Sequence, residues 1–220
     1  MDTPRNGTLD FGGTKATVGE PARTDGSRGG GFYLFFDTET TGLPKDWKAP
    51  VTNLDNWPRL VQIAWMLYDK DGGKISEASY VVKPEGFDIP TVASDIHGIT
   101  TEKALAEGRP LVDVLKDFKE MLDNSKSLVA HNMSYDIKII HAELLRKNMP
   151  CDLETRATVC TKESSTNFCA IDGPYGFKWP KLNELYMKLF GRELKDAHDA
   201  LVDVRATADC FWEMRKRGIL

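Results

Sequence analysis

Apolar and polar positions fall into blocks that predict a mixed α/β domain from residue 32 onward. Phe32-Tyr33-Leu34-Phe35-Phe36 is an unbroken apolar run closed by Asp37, which predicts a buried strand over 32–37. A long loop through Trp47 and Trp57 follows, then a strand over 60–68. The Asp71-Gly72-Gly73 turn joins that strand to another over 75–82 as a hairpin. Leu111, Val114, Leu115, Phe118 and Leu122 recur at helical spacing and predict a helix over 110–122. A short strand over 127–130, a helix over 134–147, a strand over 156–161 and helices over 181–190 and 199–217 complete the order. A hairpin followed by alternating strands and helices predicts an α/β fold, a mixed five-stranded sheet flanked by helices.

Residues 1–31 break this pattern. They hold eight glycines, balanced charge and almost nothing apolar, so burial cannot offset the entropy of ordering them. A disordered tail or leader is expected there, with one domain over 32–220. With 220 residues and 41% hydrophobic content the chain can bury one good core.

Four carboxylates stand where the pattern calls for apolar side chains. Asp37 and Glu39 alternate onto one face at the end of the first strand. Asp136 opens the inward stripe of Ile139, Ile140 and Leu144, and Asp203 lies in the stripe of Ala200, Val204, Thr207, Ala208 and Phe211. An ionised carboxylate taken out of water costs several kcal/mol, and close pairs raise one another's pKa unless a cation joins them. Any one of these acids has a structural explanation, as a turn or helix cap or an arginine partner. Together they carry four negative charges, which two divalent cations balance, and an oxygen-rich set without a cysteine or histidine cluster suits Mg²⁺ or Mn²⁺ rather than zinc. Two such ions, about 4 Å apart, activate a water and stabilise the leaving oxygen of a phosphodiester. His198 precedes the last helix, with Asp199 as its N-cap. A histidine's ordinary titration range leaves it largely neutral at cellular pH, the form a general base needs.

Three segments resemble the exonuclease motifs of the DEDDh family: Asp37-Thr38-Glu39-Thr40-Thr41-Gly42-Leu43, His131-Asn132-Met133-Ser134-Tyr135-Asp136 and His198-Asp199-Ala200-Leu201-Val202-Asp203. Arg59-Leu60-Val61-Gln62-Ile63-Ala64, Ile96-His97-Gly98-Ile99-Thr100 and Lys178-Trp179-Pro180-Lys181-Leu182 are similar in order and spacing. The family includes the proofreading subunit of bacterial DNA polymerase III, ribonuclease T and oligoribonuclease, and the resemblance implies a ribonuclease H-like fold. It implies that Asp37, Glu39 and Asp203 bind a first metal, that Asp37 bridges to a second, and that Asp136 holds the second directly or through water. His198 would deprotonate the attacking water. By the same likeness Thr38 and the Thr41-Gly42-Leu43 turn meet the terminal nucleotide, with Leu43 against a base. His97 lies near the 3′ hydroxyl, and Asn132 and Tyr135 stand against sugar or base, where an aromatic ring suits a splayed single strand.

The net charge of −4 and pI of about 5.6 give no basic footprint for a long duplex, which fits an enzyme gripping a few terminal nucleotides. Cys151, Cys160, Cys169 and Cys210 have no metal-ligand spacing and read as reduced thiols. No stretch is long and apolar enough for a membrane span or a signal core, so a cytoplasmic protein without a membrane partner is expected. The loop 44–58, carrying Trp47, Trp57, Lys45 and Lys48, reads equally as a substrate-side lip and as packing on the sheet. His141 is off the Asp136 stripe and reads as structural.

These features predict a metal-dependent 3′-5′ exonuclease that releases nucleoside 5′-monophosphates from single-stranded 3′ ends, DNA favoured over RNA. The runner-up is an exoribonuclease or oligoribonuclease. A non-catalytic nucleic-acid or polymerase-binding module on the same fold is the alternative of another class. Leu220 directly follows the last predicted helix, leaving no extension of the kind that attaches the resembling proofreading subunit to its polymerase. A freestanding enzyme is therefore expected.

Overall fold

The first strand outlasts its own hydrophobes. In the computed structural model, which describes residues 32–195 and 198–220, β1 runs Phe32–Thr40, beyond the predicted end at Asp37. Its polar end stays in register because β2 (Leu60–Tyr68) pairs antiparallel along it, placing Asp37 opposite Ala64 and Glu39 opposite Gln62. The tail expected over 1–31 lies outside the described residues.

β3 (Lys74–Val81) returns antiparallel to β2 through the predicted turn, where Gly72 adopts φ +88° and the Asp69 amide donates to Gly73 O at 2.9 Å. A residue with a Cβ rarely adopts that backbone. On the other side β4 (Ser125–Ala130) runs parallel to β1 and β5 (Ala157–Cys160) parallel to β4, giving the order β3-β2-β1-β4-β5. The expected mixed five-stranded α/β sheet is present, with β1 at its centre.

Eight α-helices are described: α1 (Thr91–His97), α2 (Thr101–Glu107), α3 (Leu111–Asn124), α4 (Met133–Arg146), α5 (Thr161–Ser164), α6 (Thr166–Cys169), α7 (Leu182–Phe190) and α8 (Ala200–Lys216). A small hairpin, β6 (Asp172–Gly173) with β7 (Gly176–Phe177), precedes α7. Neither α1 nor α2 shows in the apolar pattern, because each buries a single residue, Ala93 or Ala104. They are set instead by their ends: Gly98 closes α1 at φ +71°, and the Thr100 hydroxyl accepts from the Lys103 amide at 3.2 Å to open α2. The four cysteines are free thiols. No described helix is long and apolar enough to cross a membrane.

Alternation along β1 divides the core. Leu34 and Phe36 pack with Ile63, Trp65, Phe118 and Ile139 on the α3–α4 side, whereas Phe35 packs with Ala64, Met66, Val204 and Phe211 beneath α8. The same alternation sends Asp37 and Glu39 to the α8 side and Thr38 to the α4 side. Pairing between β1 and β4 stops at Phe35 and Val129. Beyond that point the Thr38 amide donates to the Asp136 carboxylate on α4, at 3.1 Å. A side chain thus takes over where the neighbouring strand has left.

A buried ion cluster anchors the loop after β1. Glu143 on α4 is fully buried, and its Oε1 accepts from Arg59 Nε at 2.9 Å and the Leu60 amide at 3.0 Å, with Arg146 Nη1 2.9 Å away. Arg146 Nη2 donates to the carbonyls of Leu54 (2.6 Å) and Trp57 (2.7 Å). Within the loop, Asn56 brackets Asp46 with two bonds, to its amide at 2.7 Å and from its own side-chain amide at 2.9 Å. Trp57 is buried and packs in the core, while Trp47 stays half exposed, so the two tryptophans divide the roles read for this loop. Removing one partner of a buried ion cluster leaves the others desolvated and unpaired, at about 3–5 kcal/mol. Glu143→Ala is therefore expected to lower unfolding free energy by about 3 kcal/mol, the low end because Arg59 and Arg146 keep some solvent. Chemical denaturation checks this, with an unchanged midpoint as the contrary result.

Candidate active site

Two helices and one strand bring the four acids to the carboxyl end of β1. Asp136 sits in the first turn of α4, buried, and its Oδ1 accepts from both the Thr38 amide (3.1 Å) and the Thr38 hydroxyl (2.7 Å). Asp203 sits in the first turn of α8, whose N-cap is Asp199 as expected, accepting from the amides of Leu201 (2.9 Å) and Val202 (3.2 Å). Gln62 on β2 ties that helix start to the sheet. Its Oε1 accepts from the Ala200 amide at 3.3 Å, and its Nε2 faces Asp199 Oδ2 at 3.5 Å.

Ligand atoms of Glu39, His198 and Asp203 all lie within 4.8 Å of one another. The His198 amide donates to Asp203 Oδ2 at 3.2 Å, and Asp203 Oδ1 is buried with no hydrogen-bond partner among the described residues. His198 holds φ +74°, in the left-handed region. Such a backbone costs about 1–3 kcal/mol for a residue with a Cβ and persists only where the surroundings impose it.

The electrostatics follow from burial and crowding. Desolvation, then the charges of Asp136, Asp203, Glu39 and Asp199, raises the Asp37 pKa well above its ordinary value. Glu39 is pushed up to about 8 by desolvation, then by Asp203 and Asp136. Asp136 rises to about 7 through desolvation, against the opposing pull of its two Thr38 bonds and the Lys162 charge. Asp203 is raised by desolvation, opposed by the His198 amide. Four acids held this way are starved of positive charge. The donor set, four carboxylates with an unpartnered buried oxygen, fits a hard divalent cation.

The residues read as substrate contacts divide into groups. Thr38 is buried, and its hydroxyl is committed to Asp136. Tyr135 is buried, with its hydroxyl 2.6 Å from Thr40 Oγ1 and donating to Gly42 O at 2.7 Å. Its ring packs against Trp47, 5.7 Å between centroids, so Tyr135 clamps the turn after β1. Thr41 joins that turn to β2: its amide donates to Arg59 O (3.0 Å) and its hydroxyl accepts from the Arg59 amide (2.9 Å). Gly42 carries φ +146°, and Leu43 is 73% exposed at the rim. His97 ends α1, its Nδ1 accepting from the Ile99 amide at 3.2 Å and its other ring nitrogen, Nε2, buried toward the Thr40 backbone. Desolvation lowers the His97 pKa. Asn132 is the N-cap residue of α4, and its Oδ1 accepts a hydrogen bond from Lys162 Nζ.

Two residues of this neighbourhood do not emerge from sequence reasoning. Gln62 carries a signal, a polar side chain inside an apolar strand. Lys162, whose charge reaches Asp136, carries none, because only the fold brings α5 beside α4.

The RNase_T exonuclease family model matches residues 34–211. Curated relatives include the PolC-type DNA polymerase III of Streptococcus pyogenes serotype M18 (strain MGAS8232), 36% identical over 118 residues. That of Streptococcus sanguinis (strain SK36) is 34% identical. Each alignment covers 54% of this chain and 7% of the relative, so the chain spans a small part of these proteins' length. Among solved structures, Escherichia coli exonuclease I in complex with a dT13 oligonucleotide superposes with a TM-score of 0.68 at 20% identity, covering 85% of this chain and 41% of that one. A moderately thermophilic exonuclease I from Methylocaldum szegediense gives 0.66 at 22%, covering 84% and 40%. At these identities the structural likeness establishes a shared fold. With the family model covering most of the chain, and the acids and histidine of all three motifs meeting at the end of one strand, the chain belongs to the DEDDh exonuclease family.

Proposed function

We propose that the chain is a metal-dependent 3′-5′ exonuclease that releases nucleoside 5′-monophosphates from single-stranded ends, DNA in preference to RNA. The observation that carries this reading is the gathering of Asp37, Glu39, Asp136 and Asp203 at the end of β1, all raised in pKa, with Asp203 Oδ1 buried and unpartnered among the described residues. The DNA preference draws support from the relatives, since the solved neighbours include exonuclease I with a dT13 oligonucleotide and the curated ones are DNA polymerases.

Asp37, Glu39 and Asp203 would hold one divalent cation, with Asp37 and Asp136 holding a second. Bound cations supply Lewis acidity, lowering the pKa of a water and offsetting charge on the leaving oxygen. The chain's own residues do the rest. The imidazole of His198, inside the acidic cluster, accepts the proton of the attacking water. Asp203 accepts from the His198 backbone amide, so the residue proposed as base has its backbone held by one that would also contribute a ligand. The Tyr135–Thr40–Gly42 bonds hold the turn that presents Leu43 to the last base, and the half-buried imidazole of His97 faces the same end of β1.

Three outcomes test this reading. Asp203→Asn is expected to abolish Mg²⁺-dependent mononucleotide release from a labelled oligonucleotide while raising the thermal midpoint of the metal-free protein, because a repelled charge is removed; full activity would contradict it. His198→Asn keeps a side chain that tolerates left-handed backbone. It should lower turnover at least roughly 100-fold with little change in thermal midpoint, and undiminished turnover would exclude the general-base role. The third outcome concerns pH. The folded state holds the carboxyl protons up to about 7 at Asp136 and about 8 at Glu39, well above their ordinary 3.8 and 4.5. It therefore binds more protons than the unfolded chain, and metal-free stability falls as pH rises from about 4 through 8. A cation replaces those protons, so Mn²⁺ should raise the thermal midpoint more at pH 8.5 than at pH 6. A midpoint shift independent of pH would count against it.

A further inference from the structure

The segment Lys178-Trp179-Pro180-Lys181 is not used by the chemistry above, yet it is tied to the residues just ahead of the active-site helix α4. His131, at the end of β4, lies buried with its Nε2 3.1 Å from Pro180 O and its Nδ1 3.0 Å from the Thr161 hydroxyl. Burial drives its pKa down to about 4. It is therefore neutral at physiological pH, with Nε2–H donating to Pro180. One residue further on, Asn132 receives the Lys162 ammonium, and that ammonium also sits 4.6 Å over the Trp179 ring. Among the described residues Lys162 forms no ion pair.

Three large aromatics stand in solvent here, Tyr175 at 102%, Phe177 at 49% and Trp179 at 61% exposure. They lie on and just after the β6–β7 hairpin, whose ladder extends through the Lys178 amide to Ile171 O at 2.8 Å. Exposed rings on a hydrogen-bonded hairpin do not serve the core. The neighbouring Lys178 is engaged by Glu184 at 2.6 Å, which leaves Lys162 as the cation joined to the aromatic face. From Trp179 the path runs through Lys162 to Asn132, and Asn132 precedes Asp136 by one helical turn.

We infer that Lys162, Trp179, Phe177 and Tyr175 form a binding track for single-stranded polynucleotide, continuous with the Asp136 side of the active site, which grips nucleotides beyond the one being removed. Aromatic faces stack on any base, and a cation beside them meets the backbone phosphate, so the track reads strand character rather than sequence. Charge favours this occupant over an apolar protein segment, since an apolar segment would desolvate the Lys162 ammonium without offering it an anion. Lys162 is held by Asn132 and Trp179 from two sides, so its ammonium is oriented before substrate arrives.

The inference rests on the exonuclease reading, and binding separates the two. Fluorescence anisotropy of a labelled single-stranded 12-mer is measured in EDTA, where nothing is cleaved, for the wild type, Trp179→Ala, Trp179→Phe and Lys162→Met. Trp179→Ala is expected to weaken binding about tenfold, with Trp179→Phe recovering most of it. Lys162→Met should weaken binding and reduce its dependence on salt. In steady-state digestion with Mg²⁺, Trp179→Ala should raise KM for the 12-mer at unchanged kcat and leave KM for a dinucleotide unaltered. Unchanged 12-mer affinity in Trp179→Ala, which would assign the face to a protein partner, overturns the inference and leaves the exonuclease reading intact. Tight 12-mer binding that depends on Trp179, in a protein with no nuclease activity, upholds the track and overturns that reading instead.

Discussion

Four carboxylates crowd the carboxyl end of β1, and their mutual repulsion in a desolvated setting is what the surrounding structure has to contain. Each is shifted toward its protonated form mainly by burial, and for Asp37 and Glu39 the neighbouring acids add to that. A few contacts oppose the shift, among them the two Thr38 donors and the Lys162 charge on Asp136 and the His198 amide on Asp203. The site is possible because β4 parts from β1 after Phe35, opening room for α4 to insert Asp136 where a strand would have continued. On the opposite face Gln62 fastens the start of α8, so Asp203 arrives from the other side.

Containing this repulsion requires rigid supports outside the acids themselves. The Glu143 cluster ties α4 to the start of β2 and to the loop over 44–58, and Tyr135 clamps the Thr40–Gly42 turn from the same helix. One helix thus carries a metal-ligand candidate, the turn clamp and the loop anchor, so a shift of α4 would disturb all three at once. His198 is a further cost, a left-handed backbone immediately before α8. Strain and repulsion at a site held by good packing elsewhere are what a stability–activity trade-off produces.

Much of this arrangement is legible in the amino-acid sequence alone. Apolar runs and the Asp71-Gly72-Gly73 turn mark the first strands, helical spacing marks α3, α4 and α8, and the acids stand out as polar residues on apolar stripes. What periodicity cannot supply comes from contacts distant in sequence or from short elements. α1 and α2 bury one residue each and therefore carry no stripe. The extension of β1 to Thr40 depends on pairing with β2, not on its own polar composition. Trp47 and Trp57 look alike as letters, and only the Arg146 bonds and the burial of Trp57 tell them apart. Tyr135 reads from resemblance as a ring set against sugar or base, and only the fold shows its hydroxyl bridging Thr40 and Gly42. Lys162 is invisible to such reading, because its meaning comes from Asn132 and Trp179, which lie in other segments.

The central claim, that divalent cations are what the four acids lack, is tested most directly by calorimetric titration of the metal-free protein with Mn²⁺ at pH 7 in two buffers of different ionisation enthalpy. Binding should occur with a net release of protons from the protein, and both the binding and the release should be lost in an Asp37→Asn/Asp203→Asn double variant. Absence of binding, or binding that the double variant retains unchanged, would contradict the account.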